Sequence, residues 1–126
     1  MSFRSPLGTV RGLGSAKDGT AHWWAQRITA VALVPLAIWF VIGLLLLVGQ
    51  DRAAVVAWFR NPISATLMVL LIGATFHHAQ LGVQVVIEDY IHGEGAKLAL
   101  IMFVKFAALV LAGIGIVSVL RIAFGG

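Results

Sequence analysis

Three long apolar runs constrain this sequence more than any other feature. They cover residues 28–48, 62–87 and 98–120, and each is at least as long as the roughly 20 residues that a helix needs to cross a bilayer. Side chains are 60% apolar and only 11% charged, which is the composition of an integral membrane protein. We therefore predict an all-α membrane protein with three transmembrane helices, forming a single membrane-anchor domain over residues 1–126.

The segments between the runs predict two smaller features. Residues 1–21 are rich in glycine and lack an apolar core of the signal-peptide kind, so we expect a flexible, partly ordered N-terminal segment. Charged residues flank the stretch 53–59, which predicts a short interfacial segment between helices 1 and 2. Asn61 before Pro62 predicts an N-cap for the second span, and residues 88–97 predict a polar loop before the third.

Composition excludes several classes of function. Three spans leave no room for a soluble catalytic domain, and the absence of cysteine excludes disulfides, thiol catalysis and iron–sulfur clusters ligated by this chain. The net charge is +4, but the basic residues lie beside apolar spans. We therefore expect these charges to interact with membrane lipid and not with nucleic acid.

The basic residues also predict an orientation. Five lie on the side of the N-terminus: Arg4, Arg11, Lys17, Arg27 and Lys97. Three lie on the other side: Arg52, Arg60 and Arg121. The positive-inside tendency then predicts a cytoplasmic N-terminus.

Polar side chains inside the second span mark a candidate site, because ionisable groups at membrane depth usually face protein, cofactor or water. On a helix, Gly82 and Asp89 lie within about 40° of His78, whereas His77 points about 100° away. One metal can therefore be bound by only one of the two histidines.

The sequence allows two interpretations of His78. It lies about 18 Å along the helix from Tyr90, near the middle of a hydrocarbon layer of roughly 30 Å. The imidazole either bonds to a neighbouring helix or binds a b-type haem, which needs a ligand at such a depth. Arg27 is a candidate for the haem propionates, against ordinary snorkelling to lipid phosphate.

The end of this helix also has two interpretations. Asp89 and Tyr90 either form an ordinary helix exit at the interface or serve a quinone, whose carbonyl oxygens need donors and a proton supply. Lys105, about two turns inside the third span, either snorkels or pairs with an acid.

Two motifs together resemble the family of small hydrophobic membrane-anchor subunits of succinate dehydrogenase, which pair with the cytochrome b subunit in respiratory complex II. The first motif comprises Ser15, Ala16, Lys17, Gly19, His22, Trp23, Gln26, Arg27, Thr29 and Ala30. The second, more specific motif comprises His78, Gly82, Gln84, Val85, Asp89 and Tyr90.

The resemblance implies a role for each matched residue. His78 would be an axial ligand of the iron of haem b, shared with the partner subunit, and Arg27 would lie near the propionates. Tyr90 would bind ubiquinone as substrate, supported by Asp89. His77 has no assigned part in this pattern.

The resemblance further implies that the chain is not catalytic alone. Its partners would be the cytochrome b, iron–sulfur and flavoprotein subunits, in a bacterial inner (cytoplasmic) membrane. Two alternatives remain open: a fumarate reductase anchor, which shares the architecture, and a small membrane transport or assembly protein with a polar intramembrane path.

Overall fold

The computed structural model describes the backbone of residues 13–125 and the side chains of residues 19–125. This part of the chain is almost entirely helical and contains no strand. Its helices are α1 (Leu13–Leu47), α2 (Arg52–Arg60), α3 (Pro62–Tyr90) and α4 (Glu94–Phe124). The helices α1, α3 and α4 are long and apolar enough to cross a membrane. The prediction of an all-α protein with three transmembrane helices is confirmed.

Each long helix extends beyond its predicted apolar run. Hydropathy marks where the apolar side chains end, whereas backbone hydrogen bonding continues through polar residues into the interfacial layer. The predicted polar loop over residues 88–97 is therefore wrong, because only Ile91–Gly93 lies outside a helix there. Of the predicted flexible segment, residues 1–12 lie outside the described residues and residues 13–21 are helical.

The connections between helices follow from local backbone chemistry. Gly49 has a φ of 77° just after α1, a conformation that glycine adopts without steric penalty. Asp51 caps α2 by accepting from the backbone N–H of Ala54 at 3.0 Å. Asn61 caps α3 in the same way, accepting from Ile63 at 2.9 Å. The predicted short helix between the first two spans and the predicted N-cap are thus confirmed.

A packed cluster lies at the end of the bundle where α2 folds back against α3 and α4. There the buried residues Ala65, Met68 and Val119 form a core cluster. Trp58 of α2 stacks on Trp39 of α1 with ring centroids 5.1 Å apart. We call this the closed end, defined by these five residues.

The opposite end is assembled differently. α3 lies centrally, in contact with both α1 and α4, but the inner faces here carry polar side chains. We call this the open end; it runs from the middle of α3 to the C-terminus of that helix and is defined by His22, Gln26, Thr29, His77 and His78. Large apolar side chains around it are not covered by other described residues; Phe103, for example, is 70% exposed. Lipid or other protein must cover such surfaces in a membrane.

Candidate functional site

His78 is held by a contact between α3 and α1. Its Nδ1 lies 3.0 Å from Oγ1 of Thr29, and the ring is half-buried. The same hydroxyl lies 2.7 Å from the carbonyl oxygen of Ala25, one turn earlier in α1. Within the described part of the chain the second ring nitrogen, Nε2, has no hydrogen-bond partner. One nitrogen of the imidazole is therefore fixed and the other is available to a ligand.

The face of α1 that meets His78 is polar along two turns. His22, Gln26 and Thr29 follow one another at helical spacing and so share this face. His22 Nε2 and Gln26 Oε1 are buried without a partner among the described residues. Because buried polar groups in native proteins are nearly always hydrogen-bonded, this face requires a polar partner from outside the described chain.

Gly82 lies beside this polar face. A Cβ added to it would stand 4.0 Å from Nε2 of Gln26, which is ordinary van der Waals contact. The stripe of His78 and Gly82 predicted from helical periodicity therefore does face a neighbouring helix. That helix belongs to the same chain.

His77 faces a different neighbour, as the helical repeat predicts. It lies, with Lys105, along a groove of about 690 Å³. The other residues along this groove are His22, Gly73, Phe76, Gln80, Leu81, Gln84, Ala108, Leu109, Ala112 and Ile116. Lys105 is exposed, and the predicted pairing with an acid is not observed among the described residues.

Asp89 and Tyr90 form the last residues of α3. Tyr90 is 75% exposed, and Asp89 is also exposed. Neither side chain makes a hydrogen bond or ion pair with another described residue, whereas the neighbouring Glu88 accepts from the Gln84 amide at 3.0 Å. A phenol and a carboxylate are thus free, at adjacent positions, to contact a molecule outside the chain.

Arg27 lies at the open end but on another face of α1. Thr29 meets His78 and Gln26 lies beside Gly82, so Arg27 is at a similar depth. Its guanidinium carbon stands 4.7 Å from the ring centroid of Trp23, a cation–π geometry. The structure therefore brings Arg27 to the level of His78 without a direct contact between them.

The residues of the open end fit a haem better than a bare metal ion. No group of three His, Asp or Glu side chains among the described residues could hold a metal ion. A haem, however, needs only one imidazole nitrogen from this chain, since the macrocycle supplies four ligands and a partner subunit could supply another. The unpartnered His22 and Gln26 atoms add polar groups at the same end.

No role for Thr29 or Gln26 follows from the sequence alone. Both occur in the first motif, but neither is ionisable, and a threonine in an apolar helix usually bonds its own backbone. The spacing of His22, Gln26 and Thr29 at i, i+4 and i+7 is the signal that predicts a shared polar face.

These features define a class: a small multi-pass membrane subunit whose central helix offers one imidazole at mid-depth and a phenol at its end. Comparison with known sequences is more specific. The model of the succinate dehydrogenase/fumarate reductase transmembrane subunit family matches residues 1–112. The chain belongs to this family.

Several relatives carry the name succinate dehydrogenase hydrophobic membrane anchor subunit. The chain is 35% identical to that of Rickettsia bellii over 107 residues, covering 85% of this chain and 86% of the relative. It is 34% identical to that of Paracoccus denitrificans over 112 residues, covering 89% and 87%. The membrane anchor subunit of Reclinomonas americana is 29% identical over 96 residues, covering 74% and 80%. No solved structure is matched.

Family membership identifies the chain as a membrane subunit of the complex II type, which implies partnership with catalytic subunits. The sequence resemblance to this family is confirmed. The alternative of a transport or assembly protein gains no support from these relatives.

Proposed function

We propose that this chain anchors the flavoprotein and iron–sulfur subunits of a succinate dehydrogenase to the membrane and, with the cytochrome b subunit, completes sites for haem b and ubiquinone. Electrons from succinate oxidation would then reach quinone in the bilayer. The observation that carries the proposal is the arrangement of α3, which holds His78 against Thr29 at 3.0 Å and ends in an exposed Tyr90.

His78 would hold the haem through Nε2, because Nδ1 is engaged by Thr29. A bound haem supplies a one-electron carrier at this depth. Of the two adjacent histidines only His78 would take part, since His77 lies along the groove beside α4. The cytochrome b subunit would supply the other protein ligand of the haem. Arg27 and the unpartnered side chains of His22 and Gln26 are the polar groups available to the propionates.

Tyr90 and Asp89 would serve the quinone. The Tyr90 hydroxyl can donate to a quinone carbonyl oxygen, which stabilises the negative charge that develops there on reduction. Asp89 is adjacent in sequence and exposed, so it can exchange protons with water and pass them to the head group. The helical rise separates Tyr90 from His78 by about 18 Å along the axis, which leaves space for quinone and haem beside the same helix.

For orientation, we propose a bacterial inner membrane with the N-terminus and the Ile91–Gly93 turn in the cytoplasm. The five basic residues counted on that side support this orientation. The catalytic subunits would then bind at the open end, where the quinone and haem residues lie.

The function is tested by purifying the chain from membranes under mild detergent and identifying the proteins that accompany it. We expect a flavoprotein, an iron–sulfur protein and a second membrane subunit, together with a reduced b-type α-band. Succinate-dependent quinone reduction at a rate well above quinol-dependent fumarate reduction would favour succinate dehydrogenase over the fumarate reductase alternative. Isolation of the chain with no flavoprotein partner would contradict the proposal.

A further inference from the structure

Three arginines from two helices line one cavity at the closed end of the bundle. Arg52 and Arg60 come from α2 and Arg121 from α4, around a cavity of about 370 Å³. The remaining lining residues are Val56, Ser118, Ile122 and Gly125. This cavity is at the opposite end of the helices from His78 and Tyr90, and the proposed function makes no use of it.

No acidic group compensates these charges within the described chain. The one ion pair there joins Lys97 to Glu94, at the open end. Asp51, adjacent in sequence to Arg52, accepts from the backbone N–H of Ala54 as a helix cap. Arg60 donates to the carbonyl oxygen of Gly125 at 2.8 Å. Three cations around one cavity repel one another, so an anion bound among them would stabilise the arrangement.

The surroundings favour an anion that carries apolar chains. A second groove adjoins the cavity through Arg121 and Gly125, and its other lining residues are Val117, Leu120 and Phe124. These apolar side chains lie on the last turns of α4, so acyl chains could lie beside them while a phosphate reaches the guanidinium groups. Arginine binds phosphate in a two-pronged geometry that suits this chemistry.

We propose that this cavity binds the phosphate of an anionic lipid headgroup. A net negative headgroup is favoured over a zwitterionic one, because the described part of the cavity offers no carboxylate to a headgroup cation. The lipid would bridge α2 and α4, which are joined at this end by the bond from Arg60 to Gly125.

The test uses the purified complex, incubated with vesicles that contain equal amounts of phosphatidylglycerol and phosphatidylcholine. Native mass spectrometry then counts the lipids that the complex retains. Wild-type complex should retain phosphatidylglycerol selectively. The double variant Arg52→Gln/Arg121→Gln should retain it at least about tenfold less, since charged hydrogen bonds to phosphate are lost. Arg60 is left intact to preserve its bond to Gly125. Lys97→Gln, which removes a cation at the open end, is the matched control and should behave as wild type.

A second arm adds inorganic phosphate to complex in phosphatidylcholine alone and follows thermal stability. Stabilisation by phosphatidylglycerol but not by inorganic phosphate identifies the lipid headgroup. Stabilisation by inorganic phosphate alone identifies a free anion and overturns the lipid assignment. Equal retention of phosphatidylglycerol by wild type and the double variant overturns the site itself.

The hydrogen bond between Thr29 and His78 supports a second, independent inference. The Thr29 hydroxyl has one proton, and Oγ1 lies 2.7 Å from the Ala25 carbonyl oxygen and 3.1 Å from that of Gln26. The Ala25 carbonyl oxygen is nearer to Oγ1 than Nδ1 of His78 is, at 3.0 Å, so we assign the hydroxyl proton to that carbonyl. Toward His78 the hydroxyl then acts as acceptor, so Nδ1 carries the imidazole proton and Nε2 presents its lone pair.

We infer that Thr29 is a positioning residue that fixes the ring orientation and tautomer of His78 for metal ligation. This inference rests on the proposed function, because it concerns binding of haem iron through Nε2. An acceptor on the far nitrogen also increases the basicity of a ligating imidazole, which stabilises the oxidised iron. Loss of that acceptor should therefore raise the midpoint potential of the haem.

The test measures haem content and midpoint potential of the assembled complex. Thr29→Val keeps the shape of the side chain and should raise the potential, whereas Thr29→Ser keeps the hydroxyl and should restore it. Thr66→Val is the matched control, because Thr66 makes the same bond to its own helix, to Pro62 at 2.7 Å, far from His78. An unchanged potential in Thr29→Val, with haem lost in His78→Ala, overturns this inference alone. Retention of haem in His78→Ala instead overturns the proposed function.

Discussion

At the scale of single residues, the neighbouring histidines of α3 illustrate how one helical step separates two environments. His78 meets Thr29 of α1, while His77 lines the groove beside α4. Both are imidazoles at the same depth, so a variant of either perturbs the local polarity to a similar degree. Any difference between the two variants therefore reports the face on which the ligand binds.

We expect His78→Ala to remove the b-type haem signal from the purified complex and His77→Ala to leave it. The reason is that only His78 combines a fixed Nδ1 with a free Nε2. The reduced-minus-oxidised absorption spectrum, normalised to flavin, measures this directly. Equal loss of haem in both variants would mean that the doublet acts through general polarity and not through ligation.

Tyr90→Phe should lower quinone reduction without affecting assembly. The change removes one hydroxyl and keeps the exposed ring, so the lost hydrogen bond is worth roughly 0.5–1.5 kcal/mol, or about two- to tenfold in affinity. Asp89→Asn should act in the same direction by removing the proton-exchanging group. Succinate oxidation with ubiquinone as acceptor is compared with oxidation by a soluble artificial acceptor, which should stay at the wild-type rate. Full quinone reduction in both variants would leave these residues as an ordinary helix exit.

At the scale of helices, the contact between α1 and α2 depends on a missing side chain. A Cβ on Gly43 would stand 2.7 Å from Cζ2 of Trp58, closer than real contacts allow. Trp58 also stacks on Trp39, one turn before Gly43 in α1. Moving the indole away from an added Cβ would disturb this stacking, so the glycine suits the close approach of the two helices.

Gly43→Ala should destabilise the closed end by about 1–3 kcal/mol, the usual range for overpacking. Gly73→Ala is a matched control within a helix, because a Cβ there meets nothing within 4 Å. It should be neutral or slightly stabilising, since alanine favours helix over glycine. The thermal midpoint of the complex and the near-ultraviolet signal of the tryptophans measure both changes. A Gly43→Ala variant as stable as Gly73→Ala would show that Trp58 yields easily.

The sequence was sufficient to predict the helices, but it was insufficient to predict which residues of different helices are in contact. Run length and caps predicted three spans and the interfacial helix, because these depend on local hydropathy and backbone hydrogen bonds. Periodicity also separated His77 from His78 correctly. The partner of His78 could not be predicted, because Thr29 and His78 are far apart in sequence and meet only through packing. Helix ends were also missed, because the polar residues 88–90 continue the helical hydrogen bonding of α3.

At the scale of the whole molecule, three spans place the open and closed ends on opposite membrane faces. Reporter fusions after Gly95 and after Gly126 should therefore report opposite sides, with Gly95 cytoplasmic. An alkaline phosphatase and a fluorescent protein fusion at each position give complementary signals and control for expression. The same side reported at both positions would contradict three membrane crossings.

The unequal packing of the two ends also bears on the biogenesis of the subunit. The stacked indoles and the Ala65, Met68 and Val119 cluster need only this polypeptide, so they can form as soon as the helices insert. The buried atoms of His22 and Gln26 have no partner among the described residues, so they stay unsatisfied until a group outside those residues reaches them. A newly made copy would thus be folded at one membrane face and incomplete at the other. We expect such orphan copies to be degraded faster than copies synthesised with their partner subunits, which pulse-chase labelling can measure.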